Sequence, residues 1–520
     1  MTAKILMVQG TSSSAGKSLL VTALCRIYAR RGIKVAPFKA QNMSNNAAVC
    51  ADGSEIGRAQ ALQAAAAGLA PSVDMNPVLI KPQADSRSQI ILMGRPWQTL
   101  HAATYYEKKS ILWRYVTESL DRLREAYDLV IIEGAGSAAE INLRRGDIVN
   151  MAVAQYAHAP VLLIGDIDRG GIFAQLLGTL WLLDPDERAL VRGLVVNKFR
   201  GDLSLFSDGV QILEEKGDVP VLGVVPYLRN LNLPDEDAVS VEESLHKVEP
   251  RRHGDTEEKH KNLRDSVPPW LGSSIDIAVL ALPRISNFDD FDPLKAESGV
   301  NLRYVSSVAD FGTPSAVIIP GTKSTIADLE WLRQTGLAEA VTKFAKNGGA
   351  VVGICGGYQM LGEAIADPHH VESKVEHTSG LGLLPVRTEF SKEKATFQAQ
   401  ARINCQRGWM SRLDESTVSG YEIHMGETPS QTAWLEISSR NGQPVKVADG
   451  SVSSDGKIWG CYLHGIFVND EFRHAWLESL GWERRASSQS EIFDQSLEAL
   501  ADAVEGALNM DLLEKIIWDK

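Results

Sequence analysis

The chain has 520 residues, 44% hydrophobic and 23% charged, with a formal net charge of −13; this length accommodates about two to four domains, with apolar material for more than one core. The acidic surplus excludes a general nucleic-acid binder, which neutralises phosphates with clustered Lys and Arg, and no apolar run approaches the roughly 20 residues that span a bilayer. Cys25, Cys50, Cys355, Cys405 and Cys461 are scattered without a CxxC pair, so neither a disulfide framework nor a zinc site is expected, and a reducing cytoplasm fits.

The opening MTAKILMVQG runs through a short apolar stretch into a Gly/Ser loop, unlike a secretory signal. Through residue 233, β-rich apolar runs at 5–8, 35–38, 129–132, 161–164, 194–196 and 221–225 alternate with helical stretches at 18–31, 56–69, 105–126 and 173–183. Such alternation predicts a mostly parallel sheet covered on both faces. Residues 234–272 are dense in charge and close on two prolines, and read as a linker. A second alternating pattern begins with the strands IDIAVLALP, AVIIPG and AVVGIC. Leucines and isoleucines at helical spacing over 490–517 predict one or two terminal helices closing that domain, 273–520. The expected architecture is two doubly wound α/β domains.

Residues 10–18 read GTSSSAGKS, between the strand KILMVQ and a helical run. Small residues let backbone N–H groups wrap a polyphosphate, and the helix N-terminus adds a favourable dipole. Thr11, Ser12, Ala15 and Gly16 would form the cradle, Lys17 would reach the terminal phosphates, and the Ser18 hydroxyl would ligate Mg²⁺. The motif GxxxxGK[ST] would start with glycine at position 11, where this chain has threonine, with Gly10 one step earlier. DLVIIEGAG brings Glu133 to the carboxyl end of a strand, where open α/β sheets bind ligands, as a second Mg²⁺ candidate. In VVNKFRGD, Asn197 and Lys198 resemble the start of a base-recognising NKxD, yet position 200 is Arg, so guanine specificity is unsupported. These pieces resemble the dethiobiotin-synthetase-like branch of P-loop proteins, which pass the ATP γ-phosphate to a carboxylate. The partitioning ATPases carry a lysine five residues before the invariant one, where this chain has Ser12.

GAVVGICGGYQMLG runs an apolar strand into Cys355, then two glycines and a helix. This is a nucleophile elbow in cysteine form: glycines permit the strained turn, and a helix N-terminus favours the thiolate. The Gly356 N–H would stabilise an oxyanion. For a base, His464 in IWGCYLHGIF is favoured over His424 in GYEIHMGET, with His369, His370 and His377 in more polar, loop-like surroundings. The C-terminal half resembles the class I (triad) glutamine amidotransferases, and the resemblance makes Cys355 nucleophile and His464 base. That family's His-x-Glu is broken by Ile466, leaving the third member to be supplied elsewhere, with Glu422 one candidate. PGTKST at 320–325 resembles the family's glycine loop, so Gly321 would offer a second oxyanion donor.

Together the halves imply that ammonia released from glutamine meets a carboxylate activated by ATP. KAQNMSNNA, EIGRAQALQA, NPVLIKP, IIEGAGS, DIDRGGIF, NKFRGD, PGTKST, GICGGYQMLG, GYEIHMGET and GCYLHGIF extend a resemblance to the cobyric acid synthases over nearly the full length. It implies ATP and Mg²⁺, glutamine as ammonia donor, and amidation of the b, d, e and g carboxylates of adenosylcobyrinic acid a,c-diamide. Residues 39–63 would offer a corrin-facing surface. The sister cobyrinic acid a,c-diamide synthases share both modules, and a regulatory nucleotide-binding scaffold with an inactive amidotransferase domain is the alternative of another class.

Overall fold

The computed structural model describes residues 2–82, 87–144, 146–228, 231, 233–234, 275–484 and 489–519. The linker expected at 234–272 lies, but for its first residue, outside the described residues. The chain divides into two compact units, one of residues 1–236 with 490–520 and the other of 237–489.

The first unit is built on six strands: β1 (Lys4–Gly10), β2 (Val35–Phe38), β3 (Leu129–Ser137), β4 (Val161–Asp166), β5 (Val191–Phe199) and β6 (Val221–Pro226). They lie in the order β6-β5-β4-β1-β3-β2, every pair parallel. Because side chains alternate across a strand, Leu6 and Val8 enter one core while Ile5 and Met7 enter the other. Both faces are thus buried, and β1 reads as a continuous apolar run. Helix α1 (Lys17–Arg30) follows β1 and α2 (Arg58–Ala66) packs on it. Between β2 and helix α3 (Ala102–Ala126) the chain inserts a four-stranded sheet of Gln41–Met43, Val78–Pro82, Arg87–Leu92 and Arg95–His101. The sequence pattern did not announce these strands, of which Gln41–Met43 is three residues long and Arg95–His101 has no buried residue.

The terminal helices α6 (Gln489–Ala507) and α7 (Met510–Trp518) correct the expectation that they close the second domain. Leu497, Leu500, Val504, Leu513 and Ile517 share a core with Leu20, Leu24 and Ile27 of α1. The Asn509 amide donates to Leu222 O of β6 at 2.7 Å. Helical periodicity specifies an apolar face but not which sheet it covers.

In the second unit, β7 (Ile275–Leu280), β8 (Val300–Val305), β9 (Ala316–Ile319) and β10 (Ala350–Ile354) combine with β13 (Ser451–Val452) and β14 (Ile458–Cys461). The order is β8-β7-β9-β10-β14-β13, parallel except for the β13 edge. A sheet unforeseen from sequence, centred on β11 (Arg387–Ile403) and β12 (Thr417–Glu427), covers 364–449 and is antiparallel except where Ala364–Ala366 pairs with β11. Helix α5 (Gly356–Leu361) leaves the end of β10, and α4 (Ile172–Leu182) in the first unit leaves the loop after β4.

Candidate active sites

In the first unit the loop between β1 and α1 wraps around its own lysine. Lys17 Nζ donates to the carbonyls of Ser12 at 2.8 Å, Ser13 at 3.2 Å and Gly136 at 2.9 Å. Gly16 has φ of +99°, the left-handed region that favours glycine, and a Cβ there would overlap the Asn197 amide. Thr11 Oγ1 donates to Gln175 of α4 at 3.1 Å, tying the loop to its neighbour, and Ala15 is buried. Asn197 and Lys198, expected beside a nucleotide, contact the loop itself: Asn197 Nδ2 donates to Ala15 O at 2.8 Å and Lys198 Nζ to Ser14 O at 2.7 Å. Lys198 also pairs with buried Asp166 at the end of β4, at 2.8 Å.

Glu133, midway along β3, is the hub behind the loop. It accepts from Ser18 Oγ and Lys39 Nζ at 2.8 Å each and from Gln63 Nε2 at 2.5 Å. A hydroxyl and a carboxylate side by side are the hard oxygen donors that Mg²⁺ takes, so Ser18 and Glu133 fit that ion. Residues 39–63, read as a ligand-facing surface, turn most of their polar side chains inward. Lys39, Asn42, Asn46, Glu55, Gln60 and Gln63 are buried, while Met43 is exposed and Gln41 and Asn45 are partly so. Lys39, Gln60 and Gln63 hold Glu133, Asn42 donates to Gln60, and Glu55 pairs with Lys81.

In the second unit Cys355 joins β10 to α5 with φ of +51° and ψ of −108°. A non-glycine residue held there is strained, as nucleophile elbows are. Gly356 and Gly321 make the close approaches: a Cβ on Gly356 would lie 2.8 Å from Thr322, and one on Gly321 would lie 3.1 Å from His464 Cε1. The PGTKST loop, the elbow and His464 therefore meet. The cysteine thiol donates to Ile423 O of β12 at 3.6 Å.

His464 is buried and its Nδ1 lies 2.7 Å from Asp290 Oδ2, while Asp290 Oδ1 accepts from Gly465 N at 2.8 Å. The imidazole stacks on Tyr421, with centroids 5.2 Å apart, and Asn287 donates to the Tyr421 hydroxyl at 2.8 Å. Burial pushes the imidazolium down, but the Asp290 carboxylate and Cys355 outweigh it and raise His464 to about 10 from 6.5. The rival His424 is turned away, Nδ1 2.8 Å from Gly426 O, and His369, His370 and His377 are exposed. Glu422 does not orient His464; its carboxylate is held by Arg440 at 2.7 and 2.8 Å.

Two protein-family models match the sequence. Residues 6–241 match a CobQ/CobB/MinD/ParA nucleotide binding domain, and 276–472 match a CobB/CobQ-like glutamine amidotransferase domain. The cobyric acid synthase of Chloroflexus aggregans is 54% identical, with 99% of each chain covered. That of Herpetosiphon aurantiacus is 52% identical and that of Dehalococcoides mccartyi 49%, again with 99% of each chain covered. The chain belongs to the cobyric acid synthase family. In this cobyric acid synthase family member, sequence reasoning passed over Asp290, Asp166 and Lys39. Asp290 sits 174 residues before its imidazole in the segment NFDDF, with no spacing to betray it. Lys39 had a signal, a lysine at the end of the strand next to the one carrying Glu133, but it stood in a motif taken for surface.

Proposed function

We propose that the protein is a glutamine-hydrolysing, ATP-dependent amide ligase that converts the b, d, e and g carboxylates of adenosylcobyrinic acid a,c-diamide into amides. The observation that carries this is the pairing, within one chain of this family, of a strained cysteine backed by His464 and Asp290 with a lysine-bearing phosphate loop. Cys355 attacks the side-chain amide carbon of glutamine, and the oxyanion faces the N–H groups of Gly356 and of the loop at Gly321. The His464 imidazolium protonates the departing nitrogen, so ammonia leaves and a γ-glutamyl thioester remains. His464, now neutral, takes a proton from water, whose attack releases glutamate and restores the thiol. Asp290 fixes the imidazole and stabilises its charged form throughout.

At the other site Thr11, Ser12, Ala15 and Gly16 supply loop backbone to the phosphates, Lys17 turns its ammonium to them, and Asn197 and Lys198 brace the loop. Ser18 and Glu133 would hold the Mg²⁺ that travels with ATP, supplying charge neutralisation. A carboxylate oxygen of the acceptor attacks the γ-phosphorus and ADP leaves. Ammonia attacks the resulting acyl phosphate at carbon, and inorganic phosphate leaves as the amide forms.

Mass spectrometry of adenosylcobyrinic acid a,c-diamide incubated with protein, MgATP and glutamine tests this reading. The wild type adds four amides, and Cys355→Ala adds none with glutamine but regains activity with ammonia. A protein that hydrolyses glutamine and binds ATP yet leaves the corrin mass unchanged would sink the assignment.

A further inference from the structure

Beside the phosphate loop lies a cavity of about 610 Å³, walled by the inserted sheet, the start of α3 and the segment that follows β3. Ser13 and Gly136 line one end, and both give their carbonyls to Lys17, so the cavity opens where the terminal phosphate of a nucleotide would lie. The strand order decides which ligand it can take. β1 is central; β4, β5 and β6 lie on one side, β3 and β2 on the other. The loop that follows β5, with Arg200 stacked on Tyr227 at 3.5 Å, contributes nothing to the lining. The cavity is on the β3 side, so a nucleotide extending along the β5 side leaves it for the second substrate.

Its walls describe that substrate. Met43, Ile80, Ile90, Leu100 and Leu143 give it apolar faces, and Met43 and Leu143 extend these to the exposed rim, 57% and 40% accessible. Two cations, Lys109 and Arg144, line it together with the acids Glu140, Asp147 and Glu187. Arg144 is held in the wall by Asp184 at 2.9 Å and Glu187 at 3.1 Å. Lys109 is half-buried, and burial lowers its pKa while Asp147 opposes the shift; the Asp147 carboxylate in turn accepts from the Val149, Asn150 and Ala152 amides.

We propose that this cavity is the acceptor subsite, seating the apolar face of a large polycarboxylate on Met43, Ile90 and Leu143 while Lys109 takes one of its carboxylates. The inference rests on the function proposed above and adds the residues that grip the acceptor. One activation point serves several carboxylates, so the acceptor must rebind in turned orientations. Apolar walls permit that, since a hydrophobic contact is non-directional; Arg144 is engaged by Asp184 and Glu187, and Lys109 binds as a point charge where an arginine fork would fix one orientation.

The test is steady-state kinetics of the full chain with ammonia as nitrogen donor, following amidation of the corrin by mass, for Lys109→Met, Lys109→Arg and Met43→Asp. Lys109→Met is expected to raise the acceptor KM about tenfold or more, with the KM for ATP unmoved. Lys109→Arg is expected to recover most of the loss. Met43→Asp, at an exposed position that does not threaten folding, is expected to raise the acceptor KM by placing a carboxylate on the seat. A wild type that amidates the corrin, together with Lys109→Met and Met43→Asp both within about twofold of its acceptor KM, overturns the cavity assignment and leaves the function standing. A wild type inert toward the corrin overturns both.

Discussion

His464 shows how one carboxylate sets the chemistry of a buried imidazole. Burial alone would leave it neutral, yet the charge of Asp290 and the thiol keep it protonated up to about 10. Its folded-state pKa lies above the ordinary 6.5, so the native state binds this proton more tightly than the unfolded chain does. That contribution to stability is complete below about 6.5 and is lost as pH rises through about 10. The same proton is the one delivered to the departing ammonia. Asp290→Asn is therefore expected to move the alkaline limb of the glutaminase pH profile toward neutrality by about one to three pH units, and an unmoved limb would remove Asp290 from the triad. Cys355 and Lys17 were legible because their chemistry is local, with strand, glycine, reactive side chain and helix consecutive in the chain. Asp290 was not, because the contact that makes it functional is created by the fold, from the turn between β7 and β8.

Among elements, the terminal helices carry the clearest consequence. Their apolar side is sealed against α1, and their acidic side meets its arginines: Arg30 pairs with Glu498, Asp502 and Glu505, and Arg31 with Glu505 and Glu514, at 2.6 to 2.8 Å. These pairs are partly exposed, so each contributes at most about 1 kcal/mol, less in high salt. Burial of Leu497, Leu500, Val504, Leu513 and Ile517 contributes more, about 1.5–3 kcal/mol for each side chain. The sum rivals the whole stability of a typical domain. A chain ending at residue 484 is expected to lose the cooperative unfolding transition of its first unit and its ATP binding, read by circular dichroism and nucleotide titration. Retention of both would show the helices to be dispensable. The helices themselves were legible from their periodicity. The inserted sheet was not: Arg95–His101 has no buried residue at all, and Gln41–Met43 is three residues long, so neither leaves an alternation to read.

For the whole molecule, the recurrence of strand–helix alternation on either side of a charged stretch made two α/β sheets legible, while the return of the C-terminus to the first sheet was not, since nothing in a helical repeat names its partner. That return has a thermodynamic consequence. The first unit's cores draw on residues 3–233 and 497–517, whereas the second unit's core draws on 275–482. A cooperative transition belongs to a core, so calorimetry is expected to resolve two transitions. MgATP binds the folded loop at the end of β1 and stabilises only the unit that contains it, by RT ln(1 + [L]/Kd), about 2.7 kcal/mol at a hundredfold excess over Kd. Saturating MgATP should therefore raise one transition and leave the other in place, while a substrate analogue that alkylates Cys355 should act on the other. If MgATP instead raises both together, the two units unfold as one, and the energetic linkage between nucleotide and glutamine sites is carried by the folded chain as a whole.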